Sequence, residues 1–440
     1  MQHSEKRRAL DVTIVGGGMI TADQILPTIY HLQRNGTVGK IDVCALNSGP
    51  LRGLEADQAL REAFPGQSFS PHPGFAQLPD RDHPNLYRQV LARMRPRQAV
   101  IVAMPDPLHH EAVMAARAAG QNVICVKPLV LTYAHAEEIR RTALANGLFV
   151  GVEYHKRFDR RALMARHQYA RGDFGEFAIG EAKMIEPYYY RLSNFQNWFT
   201  LDQTDPFTYV GCHYVDLVWY ITGLRPVELT VRGVKGRFPN GNQGYLWANG
   251  RVVYENGAIL SVTNGLGYPD AGAGSNVQSL VMFCEGNGKT AMIDHEDQFR
   301  GVTHCYLDGI GLSGSQYNNV HSDFCRLLPW DGPGLRPVGY GCDSITANLE
   351  VIARLEEETS GMNADAALTR RRQIIMDVEA RGIIATPGNS WVNELVTEAA
   401  RLSITHDGEP VRIVYGECPH VELRFTGQAV RPALPPNAAR

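Results

Sequence analysis

Lys127 and His213 are two residues whose types and settings point to proton chemistry. Lys127 follows the apolar run Asn122–Val126 and precedes Pro128. Ligands of a parallel sheet bind beyond the carboxyl ends of its strands, so a lysine at that place is expected to face a crevice. His213 opens an apolar helical stretch, and Asp216, three residues later on the same helix face, is expected to orient its imidazole for proton transfer. The alternatives are a surface lysine and a buried structural histidine.

A second polar group lies just past another apolar run, in the segment 153–159. His155, Lys156 and Arg157 are predicted to bind sugar hydroxyls or an anionic substituent, and a solvated helix start is the alternative. Asp216 is assigned to the same substrate site. Aromatic and amide side chains offer the flat faces and hydrogen bonds that carbohydrates favour, although aromatic residues are equally common in cores. The candidates of this kind are Tyr188, Tyr189, Tyr190, Asn197, Trp198 and Tyr209.

A glycine cluster follows the first apolar run of the chain, Val12–Val15. A strand that stops at glycines and passes into a helix is how a Rossmann unit presents backbone amides to a pyrophosphate. The third glycine of the usual pattern is Thr21, and an ordinary glycine-rich turn is the alternative. The residues predicted to contact the pyrophosphate are Gly16, Gly18, Met19 and Ile20.

The second predicted strand, 41–46, is not followed by the acidic residue that commonly holds the ribose hydroxyls of NAD. Asn47 stands near that place. Asn47, Ser48 and Arg52 are expected to tolerate or bind a 2′-phosphate. The cofactor is therefore expected to be NAD or NADP, with NAD the first choice.

The elements that position these residues alternate between strand and helix from about residue 10 to 150. Continuous apolar runs separated by helical stretches predict an α/β unit whose parallel sheet is covered on both faces. After residue 150, longer β-rich stretches with glycine-containing breaks predict an antiparallel-rich sheet. The glycine-rich segment 267–275 is expected to be a mobile loop or a substrate lid. The predicted units are a Rossmann domain 1–150, an α+β domain 151–361 and an extension 362–440 whose role is not predicted.

Composition narrows the class of protein. A net charge of −3 over 440 residues argues against a general nucleic-acid binder. No apolar stretch is long enough for a membrane span, and the early apolar run is interpreted as a strand and not a signal peptide. Eight cysteines are spread singly, which favours reduced thiols in a cytoplasmic protein over disulfides or a metal site.

Taken in order along the chain, these motifs resemble the glucose–fructose oxidoreductase, inositol dehydrogenase and rhizopine-catabolism family (Gfo/Idh/MocA). The resemblance covers about residues 10–360. It is carried by the glycine loop, Ala103-Met104-Pro105 followed by His109, Lys127-Pro128, Gly211-x-His213-x-x-Asp216, and the late helix Asp343–Glu358 ending near Ser360-Gly361.

The resemblance implies a Rossmann domain followed by an α+β domain with a large open, mostly antiparallel sheet. That sheet often forms the contacts of a homo-oligomer, a dimer or tetramer, and the helix near 343–358 is expected to pack back on the first domain. The implied reaction is oxidation or reduction of a sugar, cyclitol or related carbonyl compound. Lys127 would polarise the reacting oxygen, His213 would serve in the proton relay, and Met104, Pro105, His109 and Lys127 would contact the cofactor.

The chain departs from the family pattern at two positions. The usual Glu-Lys-Pro is Val126-Lys127-Pro128, which removes a carboxylate beside the lysine. Tyr209 stands where many of the dehydrogenases carry aspartate, four residues before His213. A phenol, with an ordinary pKa of about 10, would serve as acid or base only if a nearby lysine or cofactor charge lowered that pKa.

Three functions are compatible with these residues. The first is an NAD(P)-dependent oxidoreductase in which Lys127, Tyr209 and His213 manage the proton. The second is a redox-neutral glycosidase that oxidises a sugar transiently at C3, eliminates the anomeric group, adds water and reduces the product. In it Tyr209 or His213 would be the carbon-acid base, and Lys156 or Arg157 would hold an anionic substituent. The third, a non-catalytic regulator, is disfavoured by the joint presence of Lys127, His213 and Asp216.

Overall fold

The computed structural model describes residues 9–272, 276–286, 288–296, 304–307, 316–319 and 323–425. Part of the glycine-rich segment predicted as a loop or lid, residues 273–275, lies outside the described residues. No helix within these ranges is both long enough and apolar enough to cross a membrane.

The first part of the chain alternates strands and helices. Single π-helical or 3₁₀ turns precede three of the helices, at Thr21–Ile25, Asp106–Leu108 and His155–Phe158. The elements are β1 (Leu10–Val15), α1 (Leu26–Arg34), β2 (Val38–Cys44), α2 (Ser48–Ala56), α3 (Gln58–Ala63), β3 (Ser70–His72), α4 (Leu86–Leu91), β4 (Ala99–Val102), α5 (His109–Ala118), β5 (Asn122–Val126), α6 (Tyr133–Ala145), β6 (Val150–Glu153) and α7 (Arg160–Ala170).

Strands β1 to β6 form one parallel sheet in the order β3-β2-β1-β4-β5-β6. The direction of winding reverses between β1 and β4, and a doubly wound sheet leaves its ligand crevice at that point. Strand β4 is fully buried along its length, as expected for a strand covered on both faces. The predicted Rossmann sheet is confirmed.

The remaining described elements are six strands of eight to twelve residues, six strands of four residues, a short helix and four long helices. A 3₁₀ turn at Tyr188–Leu192 follows the first of these strands, and a π-helical turn at Phe207–Gly211 leads into α9. The elements are β7 (Glu176–Pro187), α8 (Phe195–Trp198), α9 (Cys212–Thr222), β8 (Pro226–Arg237), β9 (Gln243–Tyr254), β10 (Ile259–Tyr268), β11 (Val277–Gly286), β12 (Lys289–Glu296), β13 (His304–Leu307), β14 (Gln316–Asn319), β15 (Arg326–Pro329), β16 (Leu335–Val338), α10 (Tyr340–Thr359), α11 (Ala364–Arg381), α12 (Pro387–Thr405), β17 (Val411–Val414) and β18 (His420–Leu423).

Ten of these strands form a second sheet in the order β14-β13-β12-β11-β7-β10-β9-β8-β17-β18. The β7–β10 pair is parallel, and the other paired strands whose registers are described run antiparallel. The sheet is therefore mixed and mostly antiparallel, which confirms the predicted fold class.

The late helix α10 packs against the first sheet, although it comes after most of the second. Ile345, Leu349 and Ile352 on α10 are buried in one cluster with Val12 and Ile14 of β1. Helix α12 lies on the inner face of the second sheet, with Leu395 and Ala399 in that sheet's core. Strands β17 and β18 extend the same sheet beside β8. The tail therefore contributes to the second sheet.

Candidate active site

The glycine loop has the geometry of a dinucleotide cradle. Gly16 has a φ of +126°, and a Cβ there would overlap the backbone carbonyl of Ala103. Gly18 faces open space, and the helix begins directly after it, where the first amides have no acceptor inside the helix. Thr21, at the third glycine position, donates through Oγ1 to the carbonyl of Gly16 over 2.7 Å. The amides of Gly18, Met19 and Ile20 are therefore available to a pyrophosphate.

The residues predicted to meet a 2′-phosphate are already engaged. The Arg52 guanidinium donates to the backbone carbonyls of Phe75 and Gln77. Ser48 is fully buried and donates through Oγ to the carbonyl of Gln77 over 3.2 Å. In this structure the loop after β3 accepts the hydrogen bonds of both side chains, and their part in tolerating or binding a phosphate stays a prediction. Asn47 caps α2 by accepting from the amide of Gly49.

The His109 side chain connects two backbone segments and has no ring nitrogen free for a cofactor. Its Nδ1 lies 2.8 Å from the carbonyl of Pro128, and its Nε2 lies 2.8 Å from the carbonyl of Met104. The side chain has no exposed surface, so no ring nitrogen is left for a cofactor. His109 instead ties the end of β4 to the turn after β5. Met104 and Pro105 remain partly exposed at that strand end.

Lys127 lies at the carboxyl end of β5, before a cis peptide bond to Pro128. Its ammonium donates to the backbone carbonyl of Tyr209 and lies 4.2 Å from the centroid of the Tyr209 ring. Tyr209 belongs to the turn before α9, one helical turn from His213. The structure thus brings Lys127 and the start of α9 together, as the sequence predicts.

Tyr209 does not have the lowered pKa that an acid–base role would need. Burial, followed by the nearby charges of Glu186 and Asp106, raises the pKa of Tyr209 well above its ordinary value of 10.0. The Lys127 ammonium lies over the face of the ring, where it does not relieve this effect. Tyr209 therefore stays protonated at neutral pH and forms a wall of the site together with Trp198, whose ring centroid is 5.8 Å away.

His213 is buried and neutral. Burial, and then the charges of Lys127, His155 and Lys156, lowers the pKa of His213 well below its ordinary value of 6.5. Within the described part of the chain its Nδ1 has no hydrogen-bond partner. A neutral imidazole with an unused nitrogen is suited to accept a proton from a bound hydroxyl.

Asp216 does not orient His213, which corrects the prediction from their spacing. Its carboxylate accepts three hydrogen bonds from the Arg157 guanidinium, at 2.6, 2.9 and 3.1 Å, and one from Asn393 Nδ2 at 2.7 Å. Arg157 is only 1% exposed, so its charge requires a partner inside the protein. Neither Arg157 nor Asp216 is free to bind substrate, and both act as parts of the core.

A different carboxylate–imidazole pair lies beside His213. His155 Nδ1 donates to Glu153 Oε2 over 2.8 Å, and Gln24 Nε2 donates to the other Glu153 oxygen over 2.8 Å. The rings of His155 and His213 have centroids 4.7 Å apart. Glu153 is the last residue of β6, and His155 begins the 3₁₀ turn that follows it. The polar segment 153–159 predicted from the sequence includes Glu153, although the sequence gives its carboxylate no separate role.

The other predicted substrate residues do not all lie at the same place in the structure. Lys156 is close enough to lower the pKa of His213, although it is buried and donates to Gln278 Oε1 over 2.7 Å. Tyr188 is exposed, with the Arg191 guanidinium 4.9 Å from its ring centroid. Asn197 lies apart from the histidines, in an exposed amide cluster where Asn240 Nδ2 donates to it.

Glu394, on α12, is a buried carboxyl behind the turn that carries Lys127. It has no exposed surface, and neither of its oxygens makes a hydrogen bond of good geometry to a described residue. Burial is the main cause that raises the pKa of Glu394 to about 8, with the charge of Asp216 adding to it. Nothing in the local sequence marks this residue, because a glutamate on a helix is usually exposed.

Glu394→Gln is expected to stabilise the protein at alkaline pH and leave its stability unchanged near pH 4.5. The folded chain keeps the Glu394 proton up to about pH 8, whereas the unfolded chain releases it near 4.5. The free energy of unfolding therefore falls as pH rises between these values, by roughly 1.4 kcal/mol per pH unit. Urea unfolding of both proteins at several pH values measures the difference, with the exposed Glu350→Gln as control. An equal loss at every pH would contradict a neutral Glu394.

Comparison with known proteins shows which family the first domain is similar to. Residues 10–154 match the model of an oxidoreductase family with an NAD-binding Rossmann fold, Gfo/Idh/MocA. The D-glucoside 3-dehydrogenase of Escherichia coli K12 is 27% identical over 224 residues, which are 50% of this chain and 56% of that protein. The 2,7-anhydro-N-acetylneuraminate hydratase of Mediterraneibacter gnavus is 26% identical over 147 residues, 31% of this chain and 36% of that protein.

These matches span about half, or less, of the length of the curated relatives. An inositol dehydrogenase homolog from Azotobacter vinelandii, solved with NADH and myo-inositol, shares the fold over 92% of this chain and 98% of its own. Its TM-score is 0.63 at 20% identity. Residues 10–154 thus match the NAD-binding Rossmann domain of the Gfo/Idh/MocA oxidoreductases, and the glycine cradle and the sheet order agree with that match.

Proposed function

We propose that this protein is an NAD-dependent oxidoreductase that oxidises a hydroxyl of a sugar, cyclitol or sugar derivative, or reduces the corresponding carbonyl. The observation that carries the proposal is the convergence of Lys127, His213 and the Glu153–His155 pair beyond neighbouring strands of the Rossmann sheet. The similarity to a D-glucoside 3-dehydrogenase and the fold shared with an inositol dehydrogenase homolog support the substrate class.

Each side chain has a role that follows from its surroundings. NAD, held by the amides of Gly18 to Ile20, supplies the hydride acceptor. The Lys127 ammonium binds the reacting oxygen and stabilises negative charge on it. His213 is neutral, and its imidazole accepts the hydroxyl proton. His155, oriented by Glu153, lies against the same ring and binds a neighbouring hydroxyl.

The test has two stages. Native mass spectrometry of the purified chain, alone and with added dinucleotide, is expected to detect a bound dinucleotide. A panel of sugars, glycosides and cyclitols with NAD is then expected to give NADH, followed by its absorbance, for at least one compound class. A chain that binds no dinucleotide, or that binds NAD and produces no NADH with any carbohydrate, would contradict the proposed oxidoreductase.

The second candidate is a redox-neutral glycosidase or lyase on the same scaffold. The observation that favours it is the second imidazole: His155 with its Glu153 carboxylate provides a base in addition to His213. Oxidation at one sugar carbon acidifies the neighbouring C–H, and a second base could remove that proton. Tyr209 does not fit the role, because its pKa is raised. Glycoside turnover without net NADH would favour this candidate over the first.

We also propose that the protein assembles into an oligomer through its second sheet. Ile179 on β7 and Phe283 on β11 are register partners on one face, and they are 53% and 47% exposed. Apolar neighbours on an exposed sheet face are typical of a protein interface. We therefore expect a dimer or tetramer, which sedimentation of the wild-type protein and of Ile179→Glu would test.

A further inference from the structure

The edge of the cofactor site beside Asn47 is formed by two parts of the chain. The loop after β3 lies against the turn between β2 and α2 and is held there by two backbone hydrogen bonds. The amide of Gly49 donates to the carbonyl of Pro79 over 3.1 Å, and the amide of His83 donates to the carbonyl of Leu46 over 2.6 Å. The loop is thus fixed next to the place where a Rossmann fold binds the adenosine ribose.

This loop brings a carboxylate to that place. Asp82 is exposed, and its Oδ1 accepts a hydrogen bond of 3.0 Å from the side-chain amide of Asn47. Asn47 occupies the position where an acid commonly recognises the ribose, and its own side chain is neutral. The Asn47 amide is therefore hydrogen-bonded to the negatively charged Asp82, which lies 35 residues later in the chain.

The positive charge predicted to balance a phosphate is not free. The Arg52 guanidinium is bound to the carbonyls of Phe75 and Gln77 and contacts Ser48 Oγ at 3.4 Å. A 2′-phosphate entering this edge would meet Asp82 while Arg52 remains committed to the backbone. Two negative groups a few Å apart repel each other, whereas a ribose hydroxyl can donate to the same carboxylate.

We propose that Asp82 is the specificity-determining residue for the dinucleotide: it accepts from the ribose hydroxyls and excludes the 2′-phosphate, so that the protein uses NAD in preference to NADP. This inference rests on the proposed function, since it assumes that a dinucleotide occupies the glycine loop. In this chain the carboxylate that recognises the ribose would come from the loop after β3, because the end of β2 has no acidic residue.

The experiment is a direct titration of the full chain with NADH and with NADPH, followed by protein fluorescence or calorimetry. The wild-type protein is expected to bind NADH more tightly, by roughly tenfold or more, the size expected for like charges near a protein surface. Asp82→Asn is expected to bind NADPH about tenfold more tightly than the wild type does, because the repulsion is gone. Binding of NADH is expected to weaken only moderately.

Asp80→Asn is the matched control, since it removes the same charge from an exposed position of the same loop. It is expected to leave the ratio of the two affinities unchanged. The inference is overturned if Asp82→Asn leaves that ratio unchanged, or if the wild type prefers NADPH, as it would if the neighbouring Arg81 bound the phosphate. A wild type that binds neither dinucleotide would overturn the proposed function as well, whereas equal binding of both would overturn the inference alone.

Discussion

Lys127→Met is expected to lower carbohydrate turnover roughly thousandfold. Losing a hydrogen-bond donor that stabilises charge in the transition state has an effect of this size. The variant keeps the length of the side chain but loses the ammonium that lies between β5 and the start of α9. Lys156, the other lysine near His213, is held by Gln278 and cannot replace it. Steady-state kinetics with the substrate that the panel identifies measures the effect.

Two measurements keep this prediction separate from a loss of fold. The thermal unfolding midpoint of Lys127→Met is expected to stay close to the wild-type value, and the variant is expected still to bind NADH, because the glycine loop is not altered. Lys183→Met removes an exposed ammonium from the outer face of β7 and is expected to change neither turnover nor binding. Turnover at nearly the wild-type rate in Lys127→Met would remove this lysine from the chemistry.

Asp216→Ala is expected to destabilise the protein by about 3–5 kcal/mol, because it leaves the Arg157 guanidinium buried without its partner. Both side chains are only 1% exposed, so water cannot replace the lost carboxylate. The double variant Arg157→Met with Asp216→Leu is expected to recover most of this loss, since it removes both buried charges. Urea unfolding of the three proteins measures the change in unfolding free energy.

A surface pair serves as the control for Asp216. Glu255 makes a two-pronged contact with Arg225, but both side chains are about one-third or more exposed. Glu255→Ala is therefore expected to cost about 1 kcal/mol or less. If Asp216→Ala kept wild-type stability and lost only turnover, the carboxylate would belong to the proton relay and the buried ion pair would not be its main role.

Much of the fold could be predicted from local patterns. Strand β4 is a continuous apolar run of four residues, and β5 has four apolar residues after Asn122. Such runs between helical stretches predict a buried parallel sheet. The place of Lys127 at a strand end was predictable from the sheet pattern, whereas the joint role of Lys127 and His213 was implied by the family resemblance. The resemblance added the order in which the second, mixed sheet follows.

Partners distant in sequence could not be predicted in this way. Helical spacing placed Asp216 near the face of His213, but it could not reveal that Arg157, 59 residues earlier, would take the carboxylate. The spacing around Asn47 likewise showed a missing acid, but not the Asp82 that a later loop places beside it. In each case the choice among several polar neighbours depends on burial, and burial is a property of the folded chain.

Glycine conformation and apolar periodicity are local properties. The dinucleotide loop, the alternation that builds the Rossmann sheet and the residues able to handle a proton could therefore be recognised in the sequence alone. The tertiary structure decided which of those residues are free. It buried Arg157 with Asp216, tied Arg52 and His109 to backbone carbonyls, and left His213 beside the Glu153–His155 pair. The physical reason is that a buried polar group must find a partner, and only the packed chain determines which partner is within reach.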